Sequence, residues 1–124
     1  MELVDFFKGA IDTLTSPMVI CNLDYKIIYM NKAAKKAYQS RRKNDMYGTS
    51  MRCYFNEEAL SKLDMSIEWF KEDTKNNKVF AFHDDEQNQD VYIRAIRGED
   101  GTLQGFFNYH ESREPEKGKE YDLD

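Results

Sequence analysis

Met18-Val19-Ile20-Cys21-Asn22-Leu23, then Asp24-Tyr25-Lys26, then Ile27-Ile28-Tyr29-Met30 and Asn31: the reading of this stretch decides the rest. Two short β-rich runs on either side of a polar break predict a hairpin. Asn31 stands directly before Lys32-Ala33-Ala34-Lys35-Lys36-Ala37-Tyr38. An Asn side-chain oxygen accepts from an otherwise unpaired amide in the first helical turn, so a short helix is expected to begin there.

On the amino-terminal side, Leu3, Phe7, Ile11 and Leu14 recur at helical steps, with Glu2, Asp5, Lys8 and Asp12 elsewhere on the helix. Thr15-Ser16-Pro17 ends it, because the residue before a proline avoids the helical region. On the carboxyl-terminal side, residues 39–56 read as irregular, with Gly48 at a turn. Asn56 is a second expected N-cap, and Glu57 and Glu58 follow where the helix dipole favours negative charge. Leu60, Leu63, Ile67 and Phe70 then mark the longest helix.

The remainder reads as β. Val79-Phe80-Ala81-Phe82-His83 precedes a polar loop from Asp84 to Gln89, and Val91, Ile93 and Ala95 alternate with Tyr92, Arg94 and Ile96. Glu99-Asp100-Gly101 is a turn, and Leu103 to His110 forms the last strand. The order α–β–β–α–α–β–β–β predicts an α+β domain with an antiparallel sheet. Its expected limits are a helix over 1–14, a domain over 15–112, and a charged, frayed tail over 113–124.

Composition bounds the function. With 124 residues, the chain fits one domain, and 40% hydrophobic and 14% aromatic content supplies one core. A net charge of −5 argues against nucleic acid as partner. The basic residues Lys35, Lys36, Arg41, Arg42 and Lys43 read as the solvated end of a helix. No run approaches the ~18 apolar residues of a membrane span. The start lacks a secretory pattern, so a cytoplasmic setting with Cys21 and Cys53 as free thiols is expected. The cysteines and histidines make no metal-ligand spacing.

Four stretches, taken in order, resemble the PAS domain family. Pro17 to Asp24 is similar to the family's first strand and turn, and Lys26 to Ala34 to its second strand and the helix after it. Tyr47-Gly48-Thr49-Ser50 is similar to the glycine before its connecting helices, and Arg97 to Gly105 to its final hairpin. The likeness covers roughly residues 10–112 and is of the bacterial type. It implies a five-stranded antiparallel sheet in the order 2-1-5-4-3, helices packed on one face, and in many members a small ligand between them.

By position in that pattern, Val19 and Cys21 on the first strand, Val91, Ile93 and Ala95 on the fourth, and Phe106 and Asn108 on the last should face inward. Cys53, just before the long helix, joins them as a candidate ligand contact. Asn108 falls about where flavin-binding relatives carry a polar residue, and an inward amide needs a ligand, a water or a neighbour. Flavin itself is disfavoured. Light-sensing relatives carry Gly-x-Asn-Cys-Arg-Phe, whereas here Gly48-Thr49-Ser50-Met51-Arg52-Cys53 sets the cysteine farther on, and their Asn and Gln cluster is missing. Haem is disfavoured because the long helix holds no His; His83 and His110 fall on strands, where a neutral or solvated ring is the plainer reading. His110-Glu111-Ser112 also stands where the family often shows Asp-x-Thr, which puts its usual link to an output helix in doubt.

Asp84, Asp85, Glu86 and Asp90 lack the alternation and glycine of a calcium loop. Trp69 and Tyr92 are candidate interface aromatics, Trp69 equally a core residue. No nucleophile elbow, phosphate-cradling glycine run or nucleophile–base pair appears, so no enzyme is expected. The expected function is a sensory module that binds a small apolar or amphipathic molecule and signals by protein contacts. A ligand-free dimerisation or docking module is the alternative, and a small α+β enzyme or binding protein, such as a cone-shaped barrel, the third reading. Leu3, Phe7, Ile11 and Leu14 are the candidate homodimer interface, with output carried by a separate protein or by another part of a longer one.

Overall fold

The structure is a computed structural model, and it describes residues 1–39 and 45–121. Arg41, Arg42 and Lys43 of the basic run lie outside the described residues.

Strands β1 (Val19–Asn22) and β2 (Ile27–Met30) form the expected antiparallel hairpin. Its turn is closed by the Asn22 side chain, whose oxygen accepts from the amides of Asp24 and Lys26. Tyr25 takes a left-handed φ of 64° there. That conformation costs a non-glycine residue about 1 kcal/mol. The buried Tyr25 side chain offsets it by meeting Phe106 edge-on at 5.4 Å and donating its hydroxyl to Asp64.

Strands β3 (Lys78–Asp84), β4 (Gln89–Arg97) and β5 (Leu103–Ser112) make the second antiparallel set. β1 pairs with β5, setting Val19 opposite Asn108 and Cys21 opposite Phe106, so all strands join one sheet in the order β2-β1-β5-β4-β3. The approach of β1 to β5 is close at Gly105, where an added Cβ would stand 2.2 Å from the Cys21 carbonyl oxygen. Only glycine fits there. Among the described residues the ladder shifts register at three places, near Cys21 between β1 and β2, near Arg97 between β4 and β5, and in β3. A bulge between Phe80 and Phe82 sets Phe80 opposite Tyr92 on the outer face and Phe82 opposite Val91 on the inner face.

Asn31 caps α2 (Lys32–Ala34), which continues as a π-helical turn over Lys35–Gln39. A 3-10 turn, Met51–Cys53, precedes α3 (Glu57–Glu72), which Asn56 caps by accepting from the Ala59 amide. Leu63, Ile67 and Phe70 of α3 are buried, and with Cys21, Ile27, Met30 and Phe106 they form the core. Each such side chain contributes about 2 kcal/mol on leaving water.

The amino-terminal helix α1 (Leu3–Asp12) differs in kind, because none of its residues is buried. Polar bonds at its carboxyl end hold it. Asn31 Nδ2 donates to the Ile11 carbonyl at 2.9 Å, and Asp12 accepts from the Tyr29 hydroxyl at 2.8 Å. Beyond β5, Arg113 and Glu114 are tied to the β3–β4 turn through Asn88 and Asp90.

Candidate functional site

A cavity of about 810 Å³ opens between α3 and the inner face of β3, β4 and β5. Its floor is apolar and comes from the inward residues of the sheet: Val91, Ile93 and Phe106, with Val79 and Phe82 from β3. One wall is a helical stripe of α3 at steps of three and four: Ala59, Lys62, Leu63, Ser66 and Trp69. Ala59 and Ser66 are small, which leaves room between helix and sheet. Met51, Phe55 and Asn56 close the end nearest the 3-10 turn.

Of the residues that the resemblance sets on the inner face of β4 and β5, Val91, Ile93, Phe106 and Asn108 line this cavity. Val19 and Cys21 point the same way but sit in the core beneath it and are not among its lining residues. Cys21 is packed against Met51, with the sulfurs 3.6 Å apart. Burial pushes the Cys21 thiol up to about 12, so it carries no thiolate at neutral pH. Cys53 is exposed on the 3-10 turn and does not line the cavity. Ala95 packs against the core from β4.

Asn108 is the polar residue of the floor. Its Oδ1 accepts from the Val19 amide at 3.1 Å. Leu63 was legible as a core position, but the neighbouring stripe of Ala59 and Ser66 gave no sequence signal beyond small size at helical spacing. Phe82 was hidden by the bulge. Trp69 lies at the mouth, 40% exposed, beside the exposed Met65. Tyr92 lies on the outer face, stacked on Tyr109 at 5.5 Å between ring centres.

Two carboxylates outside the cavity are held by charged and hydroxyl partners. Tyr25 donates to Asp64, and Arg52 reaches the same carboxylate at 2.8 Å, which holds Asp64 below the ordinary carboxylate range. Asp90 is likewise lowered, first by Arg113 and then by His83, whose Nδ1 lies 2.9 Å away. His110 faces inward at the end of β5 between the Tyr38 hydroxyl at 3.2 Å and Gln89 Oε1 at 3.1 Å. Burial lowers its pKa, with Asp84 opposing. Among the described residues no His, Cys, Asp and Glu side chains gather as a metal site, and no helix is long and apolar enough to cross a membrane.

Comparison with known proteins places this geometry. A family model described as a PAS domain matches residues 15–110. A C-terminal domain from Streptococcus mutans is 20% identical, with a TM-score of 0.66 over 88% of this chain and 84% of the other. The PAS domain of a Colwellia psychrerythraea protein is 14% identical, with a TM-score of 0.64 over 90% and 97%. A sensory box sensor histidine kinase from Vibrio cholerae is 19% identical, with a TM-score of 0.56 over 86% and 89%. At such identities the likeness is one of fold. No curated protein matches the chain.

Proposed function

The chain belongs to the PAS domain family, typically sensory and signalling modules, and from that premise we propose that it holds a small apolar or amphipathic molecule between α3 and the sheet. Occupancy is passed on through protein–protein contacts to a separate output protein in the cytoplasm, and the module itself performs no catalysis. The observation that supports this reading is the cavity: about 810 Å³, apolar in its floor, with an amide set into it at Asn108. Apolar burial supplies affinity in such a site, and one or two polar groups supply orientation.

Native mass spectrometry of the purified protein tests it. A reproducible added mass, lost on denaturation and accompanied by a rise in melting temperature when restored, supports the sensor. A bare mass, with no thermal response to any member of a broad panel of apolar and amphipathic compounds, overturns it.

A ligand-free dimerisation module is the second reading, favoured by α1. Leu3, Phe6 and Phe7 are 66%, 60% and 62% exposed, on a helix whose far end is fastened to the domain. Beside them Val4, Ile11, Ile20 and Ile28 border an apolar groove of about 400 Å³. Projecting side chains and a groove on one surface suit an isologous pair, in which each copy fills the other's groove.

A further inference from the structure

The cavity floor carries a chemical preference that follows from one hydrogen bond. The Val19 amide is a donor and must be met by an acceptor, so the Asn108 side chain is held with Oδ1 toward β1. Its Nδ2 is thereby left as the group available to the cavity, and among the described residues it makes no hydrogen bond. Around it stand Val91, Ile93 and Phe106, which offer no polar atom of their own side chains. The polar floor of the site is therefore a donor without an acceptor.

Charge narrows the choice further. The cation among the lining residues is Lys62, on the α3 wall, exposed and 3.6 Å from Glu58. An anionic head at Asn108 would lose its water among apolar side chains and gain no counter-charge. An ammonium head would set donor against donor. A neutral carbonyl answers Nδ2 without either cost.

The walls describe the other end. From the floor the lining continues through Leu63 and Phe82 to Met65 and Trp69 at the surface, without interruption by an acidic or basic side chain on the sheet side. An apolar body directed outward from Asn108 lies between α3 and β3.

We propose that the ligand is an elongated neutral carbonyl compound, a ketone or ester, whose carbonyl oxygen accepts from Asn108 Nδ2 and whose aliphatic or aromatic body runs out between α3 and β3. This rests on the cavity being a ligand site. It adds the head-group chemistry and the direction of binding.

Trp69 is the single tryptophan of the chain and borders the mouth, so its emission reports occupancy. The test titrates the protein and its N108D variant with methyl octanoate, nonane and octanoate. Aspartate keeps the acceptor that Val19 needs and replaces the free donor by an acceptor. Methyl octanoate should weaken at least about fivefold in the variant, the worth of one hydrogen bond, while nonane changes by less than about twofold. Infrared spectroscopy of carbonyl-labelled methyl octanoate on the unaltered protein gives a readout that does not depend on the variant folding. The bound carbonyl stretch should fall below its position in hydrocarbon. An unshifted stretch, equal losses for ester and nonane, or octanoate binding more tightly than the ester overturns the head-group assignment and leaves the cavity reading intact. Failure of every compound to bind the unaltered protein overturns both.

Discussion

Arg97 Nη2 donates to the Phe70 carbonyl at 2.7 Å, so the last residue of β4 closes the carboxyl end of α3. The same guanidinium reaches the carbonyls of Asp73, Asn76 and Gly101 and the Asn77 side chain. These acceptors include carbonyls that a helix end leaves unpaired. One planar cation thus joins α3, the loop to β3 and the β4–β5 hairpin. The R97M variant, similar in length, should lose about 3 kcal/mol in urea unfolding, and R97K should recover less than half of that, because an ammonium cannot span the fork. A loss below about 0.5 kcal/mol would mean that the wall of the cavity is held by packing alone.

Asn31 ties the amino-terminal helix to the domain. It is fully buried, accepts from the amides of Met18 and Ala34, and donates to the carbonyls of Ile11 and Ser16. An N31D substitution keeps the cap but turns a carboxylate oxygen toward two carbonyls. A loss of at least about 3 kcal/mol is expected, with hydrogen exchange accelerated in α1 more than in α3. Equal acceleration in both helices would refute a local tether.

His110 should make stability depend on pH in one direction. Burial holds its folded pKa below the ordinary 6.5. As pH falls through that value the unfolded chain takes up a proton that the folded chain refuses, so stability drops from about pH 7 downward and levels off below the folded pKa. Asp64 and Asp90, both lowered, act the same way only below 3.8. Urea midpoints measured between about pH 7 and 5 should fall in the unaltered protein and flatten in H110Q. An unchanged slope in H110Q would place the proton uptake elsewhere.

Self-association should depend on α1. Phe7 borders the groove formed with Ile20 and Ile28 and is itself mostly exposed. If two copies meet there, F7E should weaken the dimer at least about a hundredfold in sedimentation equilibrium, since a carboxylate would be buried at each of two symmetric contacts. It should leave the melting temperature of the isolated monomer unchanged. A monomeric unaltered protein at high concentration rejects the dimer.

The elements were legible because their signals are short-ranged. Asn31 and Asn56 announce helices by what one side chain does for amides a few residues on, and the spacing of Leu63, Ile67 and Phe70 marks a buried face whatever lies against it. Alternation set Val91 with Ile93, and Phe106 with Asn108, on shared faces, and the likeness to the PAS family said which face turns inward. Val19 and Cys21 show the limit of that signal, since inward-facing and cavity-lining are different properties.

By itself, then, the order of residues determined which segments become helix or strand and which side of each turns from water, because caps, turns and periodicity act over a few residues. Only the folded chain decided where the core stays open. That depended on a bulge that turns Phe82 inward, on small residues of α3 meeting the sheet beside it, and on contacts such as Arg97 with Phe70 and Tyr25 with Asp64. Those are agreements between groups far apart in sequence, and no local pattern encodes a distance that exists only once both partners are in place.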